Sequence, residues 1–209
     1  MAEDSIKIHR GLVGVYFDRT KTTFINGKEG ILEYCGYSIH DLAENSTFEE
    51  TSYLLLNGKL PNQSELEQFN NNLVDARSIP SEILDIIRSI KDAHPMDVLR
   101  TAVSALSAFD DDAEDKSYEA TMRKGIRLTS QVPTIVMAHN AIRNNKEPIE
   151  PSKTLSHAAN FLYMLNGETP SESASKLMDK DFIVHADHGS NASAFAARVN
   201  PKPSALDTT

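Results

Sequence analysis

Residues 62–106, NQSELEQFNNNLVDARSIPSEILDIIRSIKDAHPMDVLRTAVSAL, decide the fold class, because apolar side chains recur in them at helical spacing. Side chains three, four or seven positions apart share one face of an α-helix. Three such faces are present: Leu66, Phe69 and Leu73; Ile83, Ile86, Ile87 and Ile90; and Leu99, Ala102, Val103 and Leu106. Pro80 and Pro95 mark the turns between them. The stretch therefore predicts three short amphipathic helices, each with one face to bury.

Helical signals continue on both sides of this stretch. Upstream, Ser46 and Glu49 have the spacing of a capping box, in which a hydroxyl and a carboxylate each satisfy a free N–H at a helix start. We expect that helix to end at Gly58. Downstream, residues 118–142 predict a buried central helix that Pro133 kinks or interrupts. No alternating βα units are visible, so the pattern indicates a mostly α fold.

The N-terminal segment, residues 1–35, is the exception to this helical pattern. Residues 22–25 and 31–32 are apolar or β-branched, and they flank Asn26-Gly27, a turn dipeptide that tolerates positive φ. We therefore expect a small N-terminal β-hairpin, followed by a helical domain.

Composition restricts the class of protein. The chain has 209 residues, 40% of them hydrophobic, which suffices for one sizeable domain or a large piece of a bigger one. A net charge of -9 argues against general binding to nucleic acid or anionic membranes. The single cysteine, Cys35, excludes an intrachain disulfide and a zinc site built from several cysteines. With no apolar signal-peptide core near the N-terminus, we expect a soluble, cytoplasmic protein.

The run from Asp181 to Val199, DFIVHADHGSNASAFAARV, carries the side chains best suited to a substrate pocket. Histidine and the amide of Asn191 can donate hydrogen bonds to carboxylate or carbonyl oxygens, which suits an oxo-acid substrate. A metal site on His185 and His188 is less favoured, because zinc takes three or four protein ligands and no others pair obviously with these two. The alternative is that both histidines are polar residues at a helix start, with Asp187 as its cap.

Other catalytic signatures are missing from the sequence. It contains no phosphate-binding glycine loop, no Gly-x-Ser-x-Gly motif and no Cys/His nucleophile pair. Nucleotide-dependent and covalent-nucleophile mechanisms are therefore disfavoured.

Four longer segments of the sequence resemble segments of one known protein family. They are GLVGVYFDRTKTTFINGKEGILEYCGYSIHDLAENSTFEETSYLLLNGKLP from Gly11, HPMDVLRTAVSAL from His94, LSHAANFLYMLNGETP from Leu155 and HADHGSNASAFAARV from His185. Together these segments resemble the citrate synthase family, in particular the bacterial citrate and 2-methylcitrate synthases, over roughly residues 9–199.

The resemblance implies a fold and a reaction. Residues 36–199 would form part of the multi-helical large domain of a homodimer. Such enzymes are acyltransferases of the tricarboxylic acid cycle. They convert the acyl group into an alkyl group during the transfer. They condense oxaloacetate with acetyl-CoA to give citrate and CoA, or with propionyl-CoA to give methylcitrate. They hold no permanently bound cofactor, and acetyl-CoA is a co-substrate.

The resemblance also assigns roles to particular residues. His188 would bind oxaloacetate, with Asn191 nearby and His185 as a weaker candidate. Arg143 would meet a phosphate of CoA through its planar guanidinium, or else is a solvated surface arginine. The family's catalytic pair of histidines and its proton-abstracting aspartate lie downstream of the HADH motif, so we expect none of them among these residues.

Departures from the family pattern occur at three places. Cys35 stands where the family usually has arginine, and Gly189 stands where a glutamate usually follows the second histidine. Residues 200–209, NPKPSALDTT, no longer follow the family and look like a short tail. Two hypotheses result: the front part of a citrate synthase, or a catalytically dead helical fragment that only associates with intact subunits.

Overall fold

The computed structural model describes residues 19–189, which form a small antiparallel sheet and a set of packed helices. The strands are β1 (Thr23–Asn26), β2 (Ile31–Tyr34) and β3 (Tyr37–Ser38). The helices are α1 (Ile39–Asn45), α2 (Phe48–Asn57), α3 (Gln63–Asp75), α4 (Ser81–Ser89), α5 (Pro95–Leu106), α6 (Tyr118–Arg143), α7 (His157–Asn166) and α8 (Glu172–Val184), with a 3₁₀ turn at Ser107–Phe109. The mostly α fold with a small N-terminal hairpin is confirmed.

The sheet has the strand order β1-β2-β3, and Thr23 pairs with Tyr34 across the hairpin. The side-chain oxygen of Asn26 accepts the N–H of Lys28 at 3.2 Å, as expected of a turn asparagine. The positive φ of the turn falls on Gly30 (69°) rather than on the Asn-Gly dipeptide. β3 was not predicted, because a strand of two residues has no periodicity to detect.

The start of α2 lies one residue later than the sequence predicts. Thr47, not Ser46, is the N-cap, and its reciprocal partner is Glu50. The physical reason is that the N–H of Ser46 already closes α1 by donating to Leu42 at 2.9 Å. The predicted end at Gly58, which adopts the left-handed conformation at φ 73°, is confirmed.

The predicted apolar faces meet in two core clusters. The first cluster joins α4, α5 and α6, and its buried members are Ile83, Ile87, Val98, Ala102, Leu106, Ile135, Ala138 and Ile142. The second joins the sheet to α1, α2 and α8 through Tyr34, Ile39, Leu42, Leu54 and Ile183. Burying each large aliphatic side chain stabilises the fold by about 1.5–3 kcal/mol. The second cluster ties the C-terminal end of α8 to the hairpin.

The buried central helix is confirmed as α6, but Pro133 does not interrupt it. Proline removes one backbone hydrogen bond and normally breaks a helix. Here α3, α4, α5 and α7 all pack against α6. Tertiary packing from several sides therefore holds the helix continuous across the proline. None of the helices between residues 19 and 189 has the length and apolar character needed to cross a membrane.

Candidate functional site

Helix α8 places the HADH motif at its C-terminal end. Ser171 caps the start of the helix, where its hydroxyl accepts the N–H of Ala174 at 3.2 Å, and His185 caps the end. Ile183, two residues before the motif, is fully buried in the second core cluster. The core therefore fixes the end of the helix, and the motif residues follow it at the surface.

His185 closes α8 and remains exposed. Its N–H donates to the carbonyl of Asp181 at 3.2 Å, and its Nδ1 lies 2.8 Å from the same oxygen. A proton on Nδ1 makes this second contact a hydrogen bond and leaves Nε2 as the ring nitrogen available to a ligand. His185 thus stands at the end of a helix rather than at the start of one.

Asp187 is held by the hairpin on both its backbone and its side chain. The hydroxyl of Tyr34 donates to the Asp187 carbonyl at 3.0 Å and accepts the Asp187 N–H at 3.2 Å. The hydroxyl of Thr23 donates to the Asp187 carboxylate. The carboxylate thus has a partner in the sheet, 164 residues away in sequence.

Two titratable groups beside Asp187 reflect this environment. Burial raises the pKa of the fully buried Tyr34 phenol, against the opposing effect of its backbone hydrogen bond to Asp187. Burial, and after it the neighbouring Asp187 carboxylate, raise the pKa of the Cys35 thiol. Both groups are therefore neutral at physiological pH.

The remaining predicted residues lie as follows. His188 is exposed directly after Asp187, and Gly189 has a φ of 70°, in the left-handed region that favours glycine. Arg143 is the last residue of α6 and is exposed. Asn191 lies outside the described residues. Residues 19–189 enclose cavities at four places, and neither the motif histidines nor Arg143 line any of these four.

A buried polar cluster next to α8 was not anticipated. Glu49 is only 7% exposed, and its carboxylate accepts the N–H of His157 at 2.7 Å. The His157 ring packs against Phe48 and Phe182, with ring centroids 4.8 and 5.6 Å away. Burial, and then the nearby charge of Arg77, lower the pKa of His157 to about 4. The histidine is therefore neutral near pH 7.

Asp179 of α8 belongs to the same buried polar cluster. Its carboxylate accepts the N–H of Phe48 at 3.2 Å, at the start of α2. Burial raises the pKa of Asp179 to about 6, and the charges of Glu49 and Glu50 add to the effect. The helix N-terminus favours the charged form, but burial outweighs it.

Arg77 lies beside a polar cavity of about 310 Å³ that Glu49, Asn70 and Lys153 also line. The guanidinium donates to the carbonyls of Ser152 and Leu155, at 2.6 and 2.8 Å. Its terminal nitrogens are thus already engaged in holding the loop before α7, so the group acts as a structural tie. No sequence signal marked it, because its partners are backbone atoms distant in the chain.

The described residues offer no group of three or more His, Cys, Asp or Glu side chains placed to hold a metal ion. What they do offer is an exposed imidazole, His188, next to an aspartate that is fixed by the sheet. Such an arrangement can donate a hydrogen bond to an anionic ligand arriving from solvent.

Comparison with known proteins gives consistent matches over almost the whole chain. The family model "Citrate synthase, C-terminal domain" matches residues 11–200. The citrate synthase of Deinococcus radiodurans is 46% identical over 191 residues, which are 91% of this chain and 51% of the relative. The citrate synthase of Haloferax volcanii is 42% identical over 198 residues, which are 92% of this chain and 52% of the relative. The 2-methylcitrate synthase of Mycobacterium tuberculosis is 38% identical over 193 residues, or 92% and 49%.

The fold is similar to a solved structure as well. The crystal structure of citrate synthase from Pyrobaculum aerophilum superposes with a TM-score of 0.88 at 40% identity, covering 92% of this chain and 50% of that one. The chain thus spans about half the length of the curated relatives that it matches.

Proposed function

The chain belongs to the citrate synthase family, and we propose that it forms the front part of an enzyme that condenses oxaloacetate with acetyl-CoA. The observation that carries the proposal is the HADH motif at the end of α8, where an exposed His188 follows an aspartate fixed by the hairpin. The negative overall charge fits an enzyme that binds anionic substrates through local groups rather than through a basic surface.

The proposed chemistry joins two carbon atoms. A base removes a proton from the acetyl methyl group, the resulting carbon nucleophile attacks the keto carbon of oxaloacetate, and the keto oxygen takes up a proton. Hydrolysis of the thioester then releases citrate and CoA. Hydrogen-bond donors are effective here because negative charge develops on the keto oxygen, while the carboxylates of oxaloacetate need partners throughout.

In this scheme His188 binds oxaloacetate, with Asn191 and His185 beside it. The imidazole N–H can donate a hydrogen bond to a carboxylate or keto oxygen of that substrate. Arg143 is proposed to contact a phosphate of CoA, because its exposed position at the end of α6 leaves the guanidinium open to a phosphate in solution.

We propose further that the proton-transfer residues belong to the second half of the full-length relatives and that the working form is a homodimer. A polypeptide of these 209 residues should then release no CoA from acetyl-CoA and oxaloacetate. A thiol-reagent assay measures this directly, and thiol release above the rate without protein would contradict the proposal.

The role of His188 is tested in a chimera in which residues 11–200 replace the matching half of the Pyrobaculum aerophilum enzyme. His188→Ala should raise the KM for oxaloacetate about 10- to 100-fold, because hydrogen bonds to charged groups contribute about 1.5–3 kcal/mol. The KM for acetyl-CoA should change by less than about twofold. His40→Ala, which alters an exposed histidine on α1, is the matched control. Equal changes in both KM values would refute the assignment.

Propionyl-CoA is the second candidate co-substrate, since one relative carries the name 2-methylcitrate synthase. The higher identity to the citrate synthase of Deinococcus radiodurans, 46% against 38%, favours acetyl-CoA. Comparing kcat/KM for the two acyl-CoA compounds on the full-length protein distinguishes them. If the chimera binds no oxaloacetate, the alternative of a helical fragment that only associates with intact subunits gains support.

A further inference from the structure

We infer that Tyr34 and Thr23 of the hairpin are positioning residues for His188. The inference rests on the proposed role of His188 in binding oxaloacetate, which it extends to residues more than 150 positions upstream in the chain. It concerns how the histidine is held in place, and neither hairpin residue is assigned a contact with substrate.

The first observation is the double contact between Tyr34 and the backbone of Asp187. The phenol oxygen both donates to the Asp187 carbonyl, at 3.0 Å, and accepts its N–H, at 3.2 Å. The same hydroxyl lies 3.3 Å from the carbonyl of Val184, the last residue of α8. One buried side chain thus spans the end of α8 and the peptide next to His188.

The second observation is that Thr23 holds the side chain of the same aspartate. Thr23 and Tyr34 are directly paired across β1 and β2, so one rung of the hairpin makes both contacts. Side chains paired in this way stand on the same face of a sheet, about 5 Å apart. Asp187 is therefore held at its backbone and its carboxylate by a single rigid element.

The third observation is that the hairpin is itself anchored. Tyr34 is fully buried in the cluster that also contains Ile183, and the N–H of Cys35 donates to the carbonyl of Thr22 at 2.7 Å. The contacts to Asp187 therefore start from the protein core. A residue whose backbone is fixed before ligand arrives loses less freedom on binding, which lowers the KM of the ligand it contacts.

The variants that test this inference remove hydroxyls while keeping side-chain shape. Tyr34→Phe removes the phenol oxygen, and Tyr163→Phe is its control on the half-buried face of α7. Thr23→Val removes the second hydroxyl, and Thr23→Ser retains it. Because Thr23 is at the edge of the core rather than inside it, the Thr23 pair keeps the test valid if Tyr34→Phe fails to fold.

The first measurement is hydrogen exchange of the 209-residue chain, followed by mass spectrometry on peptides covering residues 183–189. Tyr34→Phe and Thr23→Val should accelerate exchange in this segment about tenfold, because opening is no longer opposed by the hairpin contacts. Tyr163→Phe and Thr23→Ser should leave it unchanged. Equal exchange in all variants overturns the inference irrespective of any enzymatic function.

The second measurement is the kinetics of the same variants in the chimera. Tyr34→Phe and Thr23→Val should raise the KM for oxaloacetate about 3- to 10-fold, as expected for one neutral hydrogen bond, and leave kcat and the KM for acetyl-CoA within about twofold. Faster exchange without a change in the oxaloacetate KM, while His188→Ala does raise it, overturns the inference alone. If His188→Ala has no effect either, the proposed function of His188 fails and the inference fails with it.

Discussion

Acidification should destabilise the protein through His157, and replacing that residue should reverse the trend. Its pKa falls from 6.5 to about 4 on folding, mainly because the ring is buried. Between these two pKa values, His157 is therefore protonated in the unfolded chain and neutral in the folded chain. The free energy of unfolding is therefore unaffected by His157 above pH 6.5. It decreases as the pH falls from there towards the pKa of His157 in the folded state.

The magnitude follows from one pKa unit being about 1.4 kcal/mol. Between about pH 7 and about pH 4.5, His157 should cost about 2.5 kcal/mol of the free energy of unfolding. Asp179 acts in the opposite direction, because its pKa rises from 3.8 to about 6 on folding. Its protonation should return about 1 kcal/mol over the same range, after a discount of about half for its partial exposure to solvent.

The assay is urea unfolding followed by circular dichroism at several pH values in this range. The unsubstituted chain should lose about 1.5 kcal/mol from about pH 7 to about pH 4.5, whereas His157→Leu should keep or gain stability over the same interval. His40→Leu, at an exposed position on α1, should behave like the unsubstituted chain. A His157→Leu variant that loses stability in parallel with the unsubstituted chain would refute the reasoning.

Four further substitutions test the polar cluster beside α8, the cap of α2 and the core. Asp179→Asn should stabilise the protein by about 1 kcal/mol at about pH 7.5 and have no effect near pH 4, because the amide keeps an acceptor for the Phe48 N–H; urea midpoints at the two pH values measure this. Thr47→Ala should cost about 1 kcal/mol in thermal unfolding, and Ser46→Ala clearly less, if the cap is assigned correctly. Ile87→Ala should cost about 2–5 kcal/mol in urea unfolding, because the side chain is fully buried, and a smaller loss would mean that the α4–α5–α6 core is loosely packed.

The fold could be predicted from sequence wherever local patterns determine it. Apolar periodicity located the helices, and Gly58 ended α2 as expected. Errors arose where two elements compete for one atom: the N–H of Ser46 closes α1 and so moves the cap of α2 to Thr47. They arose also where packing overrides a local rule, as at Pro133 inside α6.

The candidate site could be predicted only as a motif. His185 and His188 are visible in the sequence because they are close together and chemically distinctive. The contacts that hold Asp187 between them are not visible, since Tyr34 and Asp187 are 153 residues apart and no periodicity connects them. Glu49 illustrates the same point: spacing predicts a cap, whereas the folded chain uses its carboxylate to accept the N–H of His157.

The position of the HADH motif therefore depends on α8 being held at several points along its length. Asp179 accepts the first N–H of α2, Phe182 packs on the buried ring of His157, and Ile183 enters the second core cluster. Beyond the helix, the hairpin holds Asp187. These contacts come from α2, α7 and the hairpin, so a change at one of them leaves the others to resist movement of the helix. His188 is thus presented by the tertiary structure of the domain, and its motif transferred to an unrelated helix would lack the contacts that fix it.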